Sequence, residues 1–240
     1  MTNIILVGSC GRMGKKVIEA IEASEDFTLV FGADPSLKTS LSDCKVKGDF
    51  LIDFSTHTTA FEIANFIEKN KIPAVIATTG HTQEEVDALK KASEVSPIFF
   101  AGNMSIGVGL TAKLACEVAK TFKDADCEIV ETHHNKKMDS PSGTALMIAN
   151  AILKERGFGK IVTNRDGFSK REAGDVGISS IRRGNVVGEH SVIFDTGTQS
   201  IEIKHTSQDR MLFAEGSLNA TKFLEGKEKG LYDMEDLLCE

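Results

Sequence analysis

The chain has 240 residues, 41% hydrophobic and 26% charged, with 28 Lys and Arg against 35 Asp and Glu for a formal net charge of −7. This composition excludes disorder and fibrous repeats, and its length suffices for one large core or two modest ones. The acidic balance argues against nucleic acid and anionic membrane as partners, so an anionic ligand has to be captured locally.

No stretch approaches the ~20 apolar residues of a membrane span, and the start MTNIILVGSCGRMG has no basic segment or cleavage signal. A cytoplasmic location is expected. Cys10, Cys44, Cys116, Cys127 and Cys239 are odd in number and lack CxxC spacing, which supports neither a disulfide framework nor a zinc site.

Over the first hundred residues, short apolar runs alternate with helix-period segments. Strands are predicted at Ile4 to Val7, Leu29 to Ala33, Phe50 to Phe54, Ala74 to Ala77 and Ile98 to Ala101. Helical stripes lie between them at Val17, Ile18, Ile21 and at Ala60, Ile63, Ala64, Ile67, and Thr82 to Glu85 reads as a capping box. The pattern is that of a Rossmann-like, doubly wound parallel α/β sheet.

The texture changes after Asn103. A helix is predicted over Val108 to Val118 and a strand over Cys127 to Glu131, followed by the polar loop HHNKKMDSPSGT. Pro141 fits the first turn of the next helix, with Ser140 or Asp139 as its cap and Ala145, Ile148, Ala149 and Ile152 as its buried stripe. Three β-rich runs between Gly174 and Ser207 are separated by Arg183-Gly-Asn185 and Thr196-Gly-Thr198, both read as turns between antiparallel strands. The whole reads as a second, α+β domain, after which Leu212, Phe213, Leu218, Phe223 and Leu224 return to helical patterning.

Two groups of residues carry chemistry. The first is Gly8-Ser9-Cys10-Gly11-Arg12-Met13-Gly14, placed where the first strand turns into the first helix. Glycines there permit close approach to a pyrophosphate, which the free N–H groups of the helix start attract. Asp34 falls twenty residues after Gly14, at the end of the second strand, where an acid accepts hydrogen bonds from ribose hydroxyls and repels a 2′-phosphate. The expected cofactor is NADH, with NADPH open through Lys38. Ala77-Thr78-Thr79-Gly80 and Ala101-Gly102-Asn103-Met104 end at the same rim and suit a nicotinamide ring. The second group is His133, His134 and Lys137, proton donors at physiological pH, with Ser142-Gly143-Thr144 opening a helix whose N–H groups suit a carboxylate.

The segments VGSCGRMG, ATTG, FFAGNMSIGV, ETHHNKKMDSPSGTAL, VVGEHSVIF and DRMLFAEGSLNATKFLEGKEKGLYDM together resemble the 4-hydroxy-tetrahydrodipicolinate (dihydrodipicolinate) reductase family of lysine and diaminopimelate biosynthesis, from residue 4 to about 238. The resemblance implies an NAD(P)H-dependent oxidoreductase acting on a small cyclic dicarboxylate. It implies acid/base work for His133, proton donation by Lys137, and substrate-carboxylate contacts for His134, Gly143 and Thr144, beside which Ser142 is expected to bind substrate from its place at the helix start. Cofactor contacts are implied at Gly8 to Met13, Asp34, Ala77 to Thr79 and Ala101 to Met104. A homotetramer assembled through the second domain is implied as well, with a cofactor domain at 1–103 and 211–240 around a substrate and oligomerisation domain at 104–210. Ala77 and Met104 depart from the glycine and aromatic residue common in that family. Another two-domain oxidoreductase of aspartate-derived metabolism and a non-catalytic NADH sensor are the alternative readings.

Overall fold

The computed structural model describes residues 1–163 and 165–239 and separates into two compact units, Met1–Ile106 with Arg210–Glu240 and Gly107–Asp209. Glu240, the end of the expected 211–240 segment, lies outside the described residues.

In the first unit, β1 (Thr2–Val7), α1 (Arg12–Glu22), β2 (Phe27–Ala33), β3 (Phe50–Asp53), α2 (Ala60–Asn70), β4 (Ala74–Ile76), α3 (Gln83–Ala92) and β5 (Pro97–Phe100) follow one another with short connections. All pairings are parallel, in the order β5-β4-β3-β1-β2. Parallel strands buried on both faces need apolar residues at every position, which is why these strands read as unbroken runs. Ile4, Leu6, Ile52, Val75 and Phe99 face α1, while Ile5, Val7, Leu51, Ile76 and Ile98 face α2 and α3. The Thr82–Glu85 capping box forms at the start of α3. The order in which strands are added to the sheet reverses across the β1/β3 pair, so ligands are expected outside the carboxyl ends of those two strands.

In the second unit, α4 (Ile106–Thr121), which starts at the last residue of the first unit, leads into β6 (Asp126–His133), α5 (Gly143–Arg156), β7 (Ile161–Thr163), β8 (Val176–Arg182), β9 (Gly188–Asp195) and β10 (Ser200–Ser207). The mixed sheet runs β10-β9-β6-β8-β7. Ala115 and Ala119 of α4 and Ala145, Ile148, Ala149 and Ile152 of α5 cover one face against Cys127, Ile129, Val176, Ile178, Val192 and Phe194.

Three expectations are corrected. The 183–185 turn does not join neighbouring strands, because β6 pairs with both β8, in parallel, and β9, antiparallel. The chain instead passes over the end of β6, where Arg183 N–H donates to His133 O and Asn135 N–H to Gly184 O. The strand expected to stop at Glu131 continues to His133. Pro141 precedes α5 rather than opening it, and the cap is Ser142, whose Oγ accepts from Ala145 N–H at 3.2 Å.

The chain then returns to the first unit through α6 (Met211–Leu224), β11 (Gly230–Tyr232) and α7 (Met234–Leu238). α6 packs beside α1 through Ala214, Leu218, Ala220 and Leu224. β11 adds a sixth parallel strand beyond β5, which the sequence pattern does not reveal. Met104 also packs in this core, so the 101–104 segment belongs wholly to the first unit. Among the described residues, no helix is long and apolar enough to cross a membrane.

Candidate active site

The turn after β1 is built from close backbone contacts. Gly8 has φ +82°, and a Cβ there would lie 2.5 Å from Phe54 O at the end of β3. A Cβ on Gly14 would lie 2.1 Å from Gly8 O, so α1 packs against the turn at a distance only glycine permits. α1 starts behind Gly11 with no side-chain cap and no acid in its first turn. Its leading N–H groups and positive dipole end are therefore free of the usual internal partner and suit a phosphate. Arg12 is exposed beside them, Ser9 is buried, and Met13 packs against the core.

Asp34 stands just past β2. Its carboxylate accepts from Cys10 N–H at 2.9 Å and from Ser36 N–H at 2.8 Å, tying the glycine turn to the β2 end. The Ser36 amide foremost, then the Ser36 hydroxyl and the Cys10 amide, hold the acid below its ordinary range against a modest effect of burial. It is a fixed anion, and each oxygen keeps acceptor capacity for a hydroxyl. Thr78 and Ala77 are buried after β4, Thr79 and Gly102 are exposed, and Ala101 and Asn103 are half-buried. Met104 is only 1% exposed and packs within the core. Sequence reasoning missed Asp53, wholly buried at the end of β3. It accepts from the amide and hydroxyl of Ser55, whose amide also donates to Thr78 Oγ1 at 3.0 Å, and burial raises its pKa.

Residues that pair or alternate across the second sheet share its helix-covered face: Glu131 with His190 and His205, His133 with Arg182. Glu131, wholly buried, is the hub of this cluster. His133 Nδ1 lies 2.5 Å from Glu131 Oε2, Arg182 donates to both carboxylate oxygens at 2.8 and 2.9 Å, and Ser142 N–H donates at 3.1 Å. Burial works to raise the Glu131 pKa, but hydrogen bonds from His133, Arg182 and Ser180 overcome it and hold the carboxyl well below its usual range.

His190 packs edge-on against His133 at 5.2 Å, and its Nε2 lies 3.2 Å from Ser142 Oγ. Burial, then the charge of His133, pushes its pKa down to about 4, so it is neutral at physiological pH. A Cβ on Gly188 would come within 3.1 Å of His133 Nε2, so the bare backbone there leaves room for that nitrogen.

The remaining predicted residues surround this cluster. His134 is half-buried at the start of the loop, and Lys137 Nζ pairs with Asp139 Oδ2 at 2.9 Å. Gly143 is exposed with open space where a side chain would stand, and Thr144 is half-buried in the first turn of α5. Arg182 is spent on Glu131, and Lys137 is matched by Asp139. Glu131, Arg182, Gly188 and His190 were all missed by sequence reasoning. A Glu and a His two residues apart in a strand are a visible signal, but Arg182 becomes relevant only through the β6/β8 pairing.

Comparison with known proteins agrees over both units. The models "Dihydrodipicolinate reductase, N-terminus" and "Dihydrodipicolinate reductase, C-terminus" match residues 2–104 and 107–238. The chain belongs to the dihydrodipicolinate reductase family. It is therefore an oxidoreductase whose first unit carries the family's pyridine-nucleotide-binding Rossmann fold. Proteins named 4-hydroxy-tetrahydrodipicolinate reductase are 38% identical in Clostridium novyi and 40% identical in Caldanaerobacter subterraneus, each alignment spanning 99% of this chain and 98% of the relative. The solved dipicolinate-bound dihydrodipicolinate reductase of Paenisporosarcina sp. TG-14 has the same fold, with a TM-score of 0.78 at 24% identity over 97% of both chains.

Proposed function

We propose that this member of the family reduces 4-hydroxy-tetrahydrodipicolinate to tetrahydrodipicolinate in lysine and diaminopimelate biosynthesis, with NADH as its preferred cofactor. The observation that carries the reading is the junction on Glu131, where one buried carboxylate holds both His133 and the start of α5. An acid/base group and an anion-binding helix end thereby share one support.

In this reading the first unit holds the dinucleotide. Gly8 to Met13 and the α1 start bind the pyrophosphate, Asp34 the adenosine ribose, and Ala77 to Thr79 with Ala101 to Met104 the nicotinamide end. The bound dinucleotide supplies the hydride. The fixed negative charge of Asp34, followed by Pro35 and Ser36, supports NADH, because a 2′-phosphate at that carboxylate meets repulsion.

The second unit binds the cyclic dicarboxylate. Its carboxylates take the amides of Gly143 and Thr144, the Ser142 region and His134. Lys137 exchanges Asp139 for the substrate and, with His133, supplies the proton that balances the charge left by hydride addition. The dipicolinate bound to the Paenisporosarcina enzyme supports a cyclic dicarboxylate as the ligand class. Homotetramer formation through the other face of the second sheet, which carries half-buried Val130 and Ile193 and exposed Ile181, completes the proposal.

The test follows reduced-nicotinamide absorbance with NADH and NADPH in parallel, with substrate freshly made by the preceding synthase. No oxidation of either cofactor refutes the activity, and a higher kcat/KM with NADPH refutes the cofactor preference. Lys137→Ala is expected to lower kcat by about 10²-fold. An unchanged kcat with raised KM assigns Lys137 to binding alone.

A further inference from the structure

Glu131 is more than a neighbour of His133. A carboxylate flanked by a guanidinium and a backbone N–H, both donors, has no proton of its own to offer. The hydrogen in the 2.5 Å contact with His133 therefore sits on Nδ1. The neutral ring is thereby the Nδ1–H tautomer, and Nε2 is left as the exchangeable nitrogen beside Gly188. The ring direction is fixed from two sides, by Glu131 on its own strand and by the edge contact with His190 on β9.

Arg182 explains how a carboxylate is kept ionised there. Its side chain stands opposite His133 in the β6/β8 register and grips both oxygens of Glu131, with a further bond to Asp139 O at 2.7 Å. An unpaired carboxylate this deeply buried is costly, and the bidentate guanidinium offsets that cost while leaving lone pairs for His133 and Ser142.

We propose that Glu131, gripped by Arg182, is a positioning residue for the reaction: it sets the tautomer and direction of His133 and seats Ser142 at the start of α5. The proposal rests on the reading of His133 as an acid/base group. Its distinctive content is that one buried ion pair aligns the proton-handling nitrogen and the carboxylate-binding helix end together, although neither Glu131 nor Arg182 needs to touch substrate.

The test uses the full-length protein. In the wild type, ¹⁵N shifts of the His133 ring are expected to report Nδ1–H at a pH where the ring is neutral; an Nε2–H signature overturns the proposal without any variant. The double substitution Glu131→Gln, Arg182→Met leaves no unpaired buried charge. Its glutamine can still accept from Ser142 N–H while donating towards Nδ1, which favours the opposite tautomer. With the wild-type far-UV circular dichroism and a cooperative urea transition of the second unit retained as the check on folding, kcat is expected to fall about 10²-fold and the ring to pass to Nε2–H. A kcat within about threefold of wild type, or a loss with the tautomer unchanged, overturns the positioning role. His133→Asn is measured alongside. If it keeps full kcat, the acid/base reading of His133 fails, whereas loss in His133→Asn without loss in the double variant refutes the Glu131 role alone.

Discussion

His190 makes the stability of the protein depend on pH in a window that belongs to it. The ring is 3% exposed, Ser142 Oγ lies 3.2 Å from its Nε2, and its Nδ1 has no hydrogen-bond partner among the described residues. Ser142 Oγ, which accepts from Ala145 N–H, shares with Nε2 one hydrogen bond whose direction depends on the ring tautomer. In the folded state the pKa is pushed from 6.5 to about 4, by burial first and by the charge of His133 second. Between those values the unfolded chain binds more protons than the folded one, so stability falls as pH is lowered from about 6.5 towards 4 and is unaffected above. The difference of roughly 2.5 units corresponds to about 3 kcal/mol. His190→Gln removes the titration and keeps an acceptor for Ser142. Urea unfolding of both proteins at pH 7.5, 6, 5 and 4.5 should show the wild type losing up to about 3 kcal/mol more than the variant over this range. His205, whose pKa burial also lowers, is present in both and cancels. Glu131 works in the other window: its folded pKa lies below the ordinary 4.5, so its contribution is lost only as pH drops below that value. Parallel pH slopes for wild type and His190→Gln would refute the reasoning, whatever the absolute stabilities.

Two glycine substitutions test the sites separately. Gly14→Ala puts a Cβ 2.1 Å from the carbonyl oxygen of Gly8, a backbone clash no rotamer relieves, and is expected to cost about 3 kcal/mol in urea unfolding and at least about tenfold in NADH affinity. Retained affinity would show that the α1 start is not where the dinucleotide is held. Gly188→Ala meets His133 Nε2 at 3.1 Å, which the ring can relieve by moving a few tenths of an ångström. Stability should change by under about 1 kcal/mol while kcat falls roughly tenfold, and an unchanged kcat would place the working nitrogen elsewhere.

The first unit was legible because its signals are local. Each parallel strand is apolar on both faces, each helix carries a stripe at the right period, and the glycines sit where backbone meets backbone. What escaped there was β11, three residues whose strand state exists only because β5 offers an unpaired edge. In the second unit the main runs were read but joined wrongly, β7 went unread, and two local bounds shifted, at Glu131 and at Pro141. Arg183-Gly-Asn185 has the composition of a hairpin turn, and nothing in those residues says that β6, some fifty positions earlier, lies between the strands they connect. Pairing across such separations is a property of the collapsed chain, not of any window along it.

The helix-covered face of the second sheet nonetheless carried a readable clue to the site. Along β6 the inward positions run Cys127, Ile129, Glu131, His133, and along β8 they run Val176, Ile178, Ser180, Arg182; in each case the alternation is kept while its chemistry turns from apolar to ionic. β9 runs the other way and shows the same change reversed, from His190 to Val192 and Phe194. Polar side chains at buried positions must find one another, since each alone leaves an unpaired group in a low-dielectric interior. Three strands that become polar at the same end therefore define a cluster before any coordinate is known. The direction of β9 follows too, because only an antiparallel placement against β6 brings His190 to Glu131 rather than to Cys127. Read this way, the buried face supplies both the pairing that the turn composition obscured and the residues, Glu131 and Arg182, that hold His133 in place.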